Sequence, residues 1–210
     1  MKKSLLYLSV LTSIFLVSCD GYNKLLKSSN YELKLERANQ YYQKANYIKA
    51  TGLYEELIPV YKGTDKAEEI YYYYSYCNYY QGDYALSQFH FKNYYRNFPA
   101  GKHAEECLFM NAYCYYLNSP AYRLDQTDTK NAMAELQNFI DQYPESSRID
   151  SCNKIYDLLR GKLEKKEYDI TLQYFHISDY KAAIANSKNF MKEFPESPKI
   201  DELLYVTINS

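Results

Sequence analysis

The sequence is most informative at first through what it lacks. Its 210 residues contain no tryptophan, six glycines and three histidines, with neither a glycine-rich phosphate loop nor a nucleophile elbow nor an H-E-x-x-H motif. Those gaps exclude the common nucleotide-binding and hydrolytic signatures. His90, His103 and His176 fall in separate segments with no carboxylate or cysteine at ligand spacing, so each reads as a helix-surface or rim residue and no metal or cofactor is expected. Basic surplus is missing too. The formal charge is −1, and it becomes −3 once residues 1–18, with Lys2 and Lys3, are set aside, which argues against nucleic acid as a partner. Charge runs such as "KLEKKEYD" read as solvated helix faces. The chain is therefore expected not to be an enzyme.

No apolar run reaches the roughly 20 residues that a membrane-spanning helix needs. The start of the chain nevertheless carries a targeting pattern: Lys2 and Lys3, then "SLLYLSVLTSIFLV", then Leu16-Val17-Ser18-Cys19. The last four residues resemble the lipobox of bacterial lipoproteins, in which the cysteine is acylated and becomes the mature N-terminus. An ordinary secretory signal with a chance cysteine is the alternative. On the lipobox reading, residues 1–18 are a signal peptide, Cys19 carries the lipid (palmitate included), and residues 19–30 link the anchor to the folded part. Two acyl chains suffice for stable anchoring without a span. Asp20 leaves the choice of membrane and leaflet open, because an aspartate there resembles an inner-membrane retention signal in some lineages. Of the other cysteines, Cys77, Cys107, Cys114 and Cys152 lie among apolar residues in helical patterns and read as small core residues, with disulfides as the alternative.

What is abundant is tyrosine, 28 in all, and a repeat. "NYYRNFP", "NFIDQYP" and "NFMKEFP" place N-[FY]-x3-[FY]-P before Pro99, Pro144 and Pro195. Sixteen residues ahead of each proline stands a capping residue, Asp83, Asp128 or Asp179, and the same frame puts Asn46 at the cap of an earlier unit. Within each unit the fourth position is small (Ala50, Ser87, Ala132, Ala183). The eleventh (Leu57, Tyr94, Phe139, Phe190) and fifteenth (Tyr61, Phe98, Tyr143, Phe194) are large. Those offsets share one face of a helix. A second helical pattern precedes every unit, so the period is that of a tetratricopeptide repeat, and the predicted fold is an all-α solenoid of helix pairs. Residues 31–210 divide into repeats at about 31–65, 66–101, 102–146 and 147–197, with an incomplete fifth repeat at 198–210. "SPAYRLDQTDT" is a loop between the helices of the third, and the fourth has lengthened helices. In the fifth, Ile200, Leu203, Leu204 and Ile208 form an apolar stripe with no partner helix, which predicts further natural sequence beyond Ser210.

"IYYYYSYCNYY" at 70–80 belongs to the first helix of the second repeat. On a helical wheel Tyr72, Tyr73, Tyr76, Tyr79 and Tyr80 share an arc of roughly 120°, while Tyr71 and Tyr74 project elsewhere. One core face cannot hold all seven rings. Two readings stay open: core with a solvated rim, or a peptide-binding groove lined by Tyr72, Tyr76 and Tyr79.

A lipobox followed by such repeats, with "LEKKEYDITLQYFHISDYKAAIANSKNFMKEFPES" in the fourth, resembles the BamD family of outer-membrane assembly lipoproteins. Glu167-Tyr168, the Tyr174 region, Asp179-Tyr180 and Phe194-Pro195 carry the likeness, and "YNKLLKSSNYELK" near residue 22 fits it; the resemblance runs over residues 19–210. It implies a lipid-anchored scaffold on the periplasmic face of the outer membrane. The partners it implies are a BamA-like barrel-assembly protein, bound mainly through C-terminal repeats, and unfolded outer-membrane protein substrates, met by N-terminal ones. On that reading Ile200, Leu203, Leu204 and Ile208 mark the partner-binding end. This chain departs from the family in its incomplete fifth repeat, and its first repeat has Lys62-Gly63 where the others have proline. A lipoprotein that grips a glycan or cell-wall component with its tyrosines is the competing reading.

Because the Cys19 thiol is the only acceptor placed for acylation, Cys19→Ala is expected to release the protein from membranes. Fractionation after a high-salt wash checks this, and a variant that stays membrane-bound would assign the anchor elsewhere.

Overall fold

The computed structural model describes residues 21–208, so Cys19 and the signal segment lie outside the described residues. The fold is all-α. A short helical segment, 21–26, precedes α1 (Tyr31–Gln43), α2 (Tyr47–Val60), α3 (Lys66–Tyr80), α4 (Tyr84–Asn97), α5 (Ala104–Asn118), α6 (Thr127–Gln142), α7 (Ile149–His176), α8 (Tyr180–Glu193) and α9 (Ile200–Ile208). Two compact units divide between Leu108 and Phe109. In the first, α1 packs on α2, α2 on α3 and α3 on α4; in the second, α6 packs on α7, α7 on α8, and α9 on both α7 and α8. Helices paired with their sequence neighbours in this way are the tetratricopeptide arrangement. Among the described residues no helix is long and apolar enough to cross a membrane.

Two recurrent turns build the pairs. Within a pair, the first helix closes on a residue in the left-handed region: Ala45 (φ 55°), Gly82 (φ 79°) or Ser178 (φ 61°). Its N–H bonds back to the carbonyl of Tyr42, Tyr79 or Phe175, and the next N–H reaches Tyr41, Asn78 or Tyr174. This is the Schellman closure, which satisfies two otherwise orphaned carbonyls. The residue that donates the second of these bonds is also the N-cap of the following helix. Asn46, Asp83 and Asp179 accept from the N–H groups of Lys49, Leu86 and Ala182 through their side chains. One residue thus ends one helix and starts the next. Only Gly82 occupies the left-handed turn without cost, since Ala45 and Ser178 carry a Cβ there.

Between pairs the aromatic at the fifteenth position is the C-cap. Phe98, Tyr143 and Phe194 have φ between −133° and −126° and ψ of 60–62°, whereas Tyr61 has φ −94° and ψ 7°. The difference follows from the next residue: proline bars its predecessor from the helical region, and Lys62 does not. Gly63 at φ 81° then reverses the chain in place of the proline turn. In both versions the aromatic's carbonyl accepts from the residue three further on, Thr64, Gly101, Ser146 or Ser197. The small fourth-position residues Ala50, Ser87, Ala132 and Ala183 are fully buried, and the Ser87 hydroxyl donates to the Ser75 carbonyl across the α3–α4 contact.

Three expectations need correction. Asp128 is not a cap: α6 starts at Thr127 behind Gln126, and the Asp125 carboxylate accepts the Thr127 N–H at 2.9 Å. The loop that precedes α6 shifts its start, so the sixteen-residue frame holds at its end and not at its beginning. His90 is not a rim residue. It is buried between α3 and α4, edge-on to the Tyr74 ring at 4.5 Å, and neither ring nitrogen has a hydrogen-bond partner. Tyr74, which projects outside the arc shared by the other rings, is buried as well. The wheel assumes one buried face, but α3 is covered by α2 on one side and α4 on the other. Cys77, Cys107, Cys114 and Cys152 are all buried and free, as read.

Burial lowers the His90 pKa from its ordinary 6.5 to about 4, with Asp83 opposing slightly. The folded state therefore keeps a neutral ring where the unfolded chain takes up a proton. The stability this contributes is present above pH 6.5 and lost as pH falls toward 4, by up to about 3 kcal/mol. His90→Phe is expected to flatten that part of the stability–pH profile. Urea denaturation at pH 7.5 and 4.5 measures it, and an unchanged slope would show that another group carries the acid sensitivity.

Candidate functional site

In the first unit the tyrosines of α3 form a continuous set of ring contacts. Tyr76 is in the core: it is 8% exposed, edge-on to Phe91 at 4.9 Å, and its hydroxyl donates to Glu106 Oε1 at 2.5 Å. It cannot line a groove with its ring face, so that expectation is corrected. Tyr72 is half-buried, donates to Glu106 Oε2 at 3.1 Å and stacks on His103 at 3.9 Å. Glu106 thus accepts two phenol protons on its two oxygens, with His103 Nδ1 3.7 Å away. Burial, reinforced by that carboxylate, pushes the Tyr72 and Tyr76 pKa values up, so both remain donors throughout the physiological range. The constellation is a braced carboxylate, not a nucleophile with a base.

Tyr79 is half-buried and lies 5.6 Å from Tyr84. Tyr80, which sequence reasoning placed on the arc but did not single out, is 50% exposed and stacks on Tyr47 at 4.7 Å. Tyr42 joins the group, 4.7 Å from Tyr73 and 6.3 Å from Tyr80. The accessible aromatic surface is therefore displaced along α3 toward its C-terminal end, where Tyr80 meets rings from α1 and α2 and Tyr79 meets Tyr84 of α4. The spacing of Tyr42 and Tyr47 from the 70–80 stretch hides this, because only the pairing of α1 and α2 with α3 brings them together.

The second unit carries an open cleft of about 580 Å³ that the sequence did not reveal, lined among others by Tyr122, Arg123, Lys166, Asp169, Ile170 and His176. Its wall is the loop before α6. Lys162 Nζ donates to the Ser119 and Pro120 carbonyls and the Ser119 hydroxyl, and Lys166 Nζ donates to the Leu124 carbonyl at 2.5 Å. Burial lowers the Lys162 pKa. Gln126 ties the loop from inside by donating to the Ala121 and Leu124 carbonyls. The length of α7, 28 residues, is what brings those lysines to the loop. His176, in the last turn of α7, is exposed.

At the end of the second unit the predicted stripe splits. Leu203 is fully buried in a cluster with Leu163, Phe190 and Phe194, and Ile200 packs partly against it. Leu204 and Ile208 are exposed, at 42% and 82%, and Val206 takes the buried place that Ile208 was expected to fill. The buried face therefore runs 200, 203, 206, and the exposed apolar pair lies to one side of it, next to Ile200. Among the described residues no cluster of histidine, cysteine and carboxylates could hold a metal.

Comparison with known proteins agrees with this geometry. The chain is 23% identical over 204 residues to the outer membrane protein assembly factor BamD of Buchnera aphidicola subsp. Acyrthosiphon pisum (strain APS), an alignment that covers 90% of this chain and 82% of that protein. The model of the YfiO family, described as outer membrane lipoprotein, matches residues 30–210, which takes in every helix from α1 to α9. With the match extending across both units and all the turns that define them, the chain belongs to the YfiO family of outer membrane lipoproteins.

Proposed function

We propose that the protein is a lipid-anchored scaffold subunit of the machinery that assembles outer-membrane β-barrel proteins, working on the periplasmic face without catalysis of its own. The family match over residues 30–210 carries this reading. The relative named as an assembly factor supports it. The surfaces suit two kinds of protein partner. Tyr79 and Tyr80 offer ring surface at the C-terminal end of α3, which suits extended, unfolded barrel substrates. The exposed Leu204 and Ile208 side of α9 suits a folded partner, the BamA-like barrel-assembly protein. The acyl group on Cys19 serves as anchor, and no diffusible cofactor is invoked.

Affinity purification of the native lipoprotein is expected to bring down a large β-barrel protein, and Leu204→Asp with Ile208→Asp to weaken that complex without lowering the melting temperature. Tyr79→Ala is expected to weaken binding of an aromatic-ended extended peptide by about 1–2 kcal/mol with the fold intact. Tyr76→Ala, in contrast, should destabilise the unit by about 3–5 kcal/mol. Saccharide binding with no barrel protein co-purifying would replace this reading with the glycan-binding one.

A further inference from the structure

We infer that one end of the first unit, the edge bearing Ile48, Tyr80 and Leu86, rests on the lipid bilayer and docks its rings and aliphatic side chains among the headgroups. The inference rests on the proposed acylation of Cys19 and adds to it a specific face and orientation.

The segment that follows Cys19 is held against α1 and α2. The Tyr22 hydroxyl donates to the Lys49 carbonyl at 3.0 Å, its ring is edge-on to Tyr41 at 5.8 Å, and Lys49 Nζ lies 5.5 Å from both ring centres. Gly52 makes room for that seat, since a Cβ there would stand 2.7 Å from the Tyr22 hydroxyl oxygen. At the other end of the segment Lys34 Nζ donates to the Leu26 carbonyl at 2.7 Å. Residue 26 therefore sits beside residue 34, and residue 22 beside residues 41 and 49. The segment runs opposite to α1, and followed back toward the N-terminus it heads for the α1–α2 turn at residues 44–46. Cys19 is three residues from Tyr22, a reach of no more than about 11 Å. An acylated Cys19 thus brings the membrane surface to that turn.

The edge so placed has the chemistry of an interface. Ile48 in the first turn of α2 is 75% exposed, Tyr80 is 50% exposed and Leu86 in the first turn of α4 is 39% exposed. Tyr47 and Tyr84 are half-buried beside them, and a recess of about 420 Å³ opens between Ile48, Lys44 and Gln81. Tyrosines at headgroup depth, an aliphatic wedge and a cation facing lipid phosphates are what a bilayer interface selects. The carboxylate at this edge, Asp83, is engaged in capping α4 through the Leu86 N–H. The position of Ile48 is occupied by Ala85, Lys130 and Lys181 in the later repeats, so a bare isoleucine is peculiar to the repeat next to the anchor. An exposed isoleucine costs solubility and gains from insertion.

The test uses the acylated full-length protein on phosphatidylethanolamine–phosphatidylglycerol vesicles carrying a lipid-borne quencher near the headgroups. An environment-sensitive fluorophore is attached at Ile48→Cys or, as the control, at Lys62→Cys beyond the other end of α2. In the acylated protein the Cys19 thiol is consumed by its lipid, the other four native cysteines are buried, and burial raises Cys77 to about 12 and Cys152 to about 11, so under native conditions the label goes to the introduced thiol. Quenching of about half the emission at position 48 and none at 62 is expected, because an interfacial wedge sits about 5–10 Å into the headgroup boundary. Co-flotation with vesicles reads the anchor separately. Protein that floats but shows equal or no quenching at 48 and 62 overturns the docking while keeping the anchor. Protein that does not float overturns the anchor and this placement with it. Protection of position 48 only when a barrel protein is added assigns the edge to a protein partner and overturns the lipid assignment.

Discussion

The architecture depends on a fixed distance between two stops. In repeats one, two and four the second helix starts where a Schellman turn is followed by a capping Asn or Asp, and in all four repeats it ends on an aromatic whose N–H returns to the carbonyl four residues back. In repeats one, two and four the separation is constant, so the small residue and the large one that follows it always meet the same neighbour. Ala50, Ser87, Ala132 and Ala183 are fully buried in consequence, since a larger side chain would hold the paired helices apart. The third repeat shows what the constraint tolerates. There the start is moved by the loop before α6, Gln126 stands at the cap position while the Asp125 carboxylate accepts the Thr127 N–H, and the end at Tyr143 is unchanged.

A core this rich in tyrosine needs acceptors inside it. Tyr54 donates to Asn39 at 2.6 Å, Tyr94 to Glu68, and Tyr76 and Tyr72 to the two oxygens of Glu106. A buried hydroxyl without a partner costs about as much as a ring contact gains. The carboxylates on the first helices are therefore structural as much as solvating, and their positions explain why tyrosine can stand where other repeats use phenylalanine or leucine. Gly101 belongs to the same arrangement: a Cβ there would come within 2.7 Å of the Glu68 carboxylate. The surplus rings that find no internal acceptor, Tyr80 above all, are those left at the surface.

The role proposed for the protein depends on which of its surfaces are open. The first unit presents tyrosine rings and an aliphatic edge beside the α1–α2 turn. The second presents a cleft with arginine, lysine and histidine, held by a braced loop, and an exposed apolar pair on α9. Membrane, unfolded chain and folded partner make different demands on a surface, which is why the proposed roles are divided among three of these surfaces.

Much of this was legible in the residues themselves. Helix stops are local: capping residues, pre-proline aromatics and the 3.6-residue period depend on neighbours within a turn or two, so the pairs, the four buried cysteines and the stop at Phe194 could be read directly. Even the altered turn after Tyr61 followed from the missing proline. Burial around a helix is not local. Tyr74 and His90 are in the core because α3 is covered on two sides, Tyr76 left the groove because Phe91 and Glu106 came to it from other helices, and Val206 displaced Ile208 because α9 settles on α7 and α8 together. The cleft by Arg123 and the seat of Tyr22 over Gly52 likewise join residues tens of positions apart. Spacing along the chain determined the helices and their ends, while the packing of one helix by two neighbours decided which of their faces remain open to a partner.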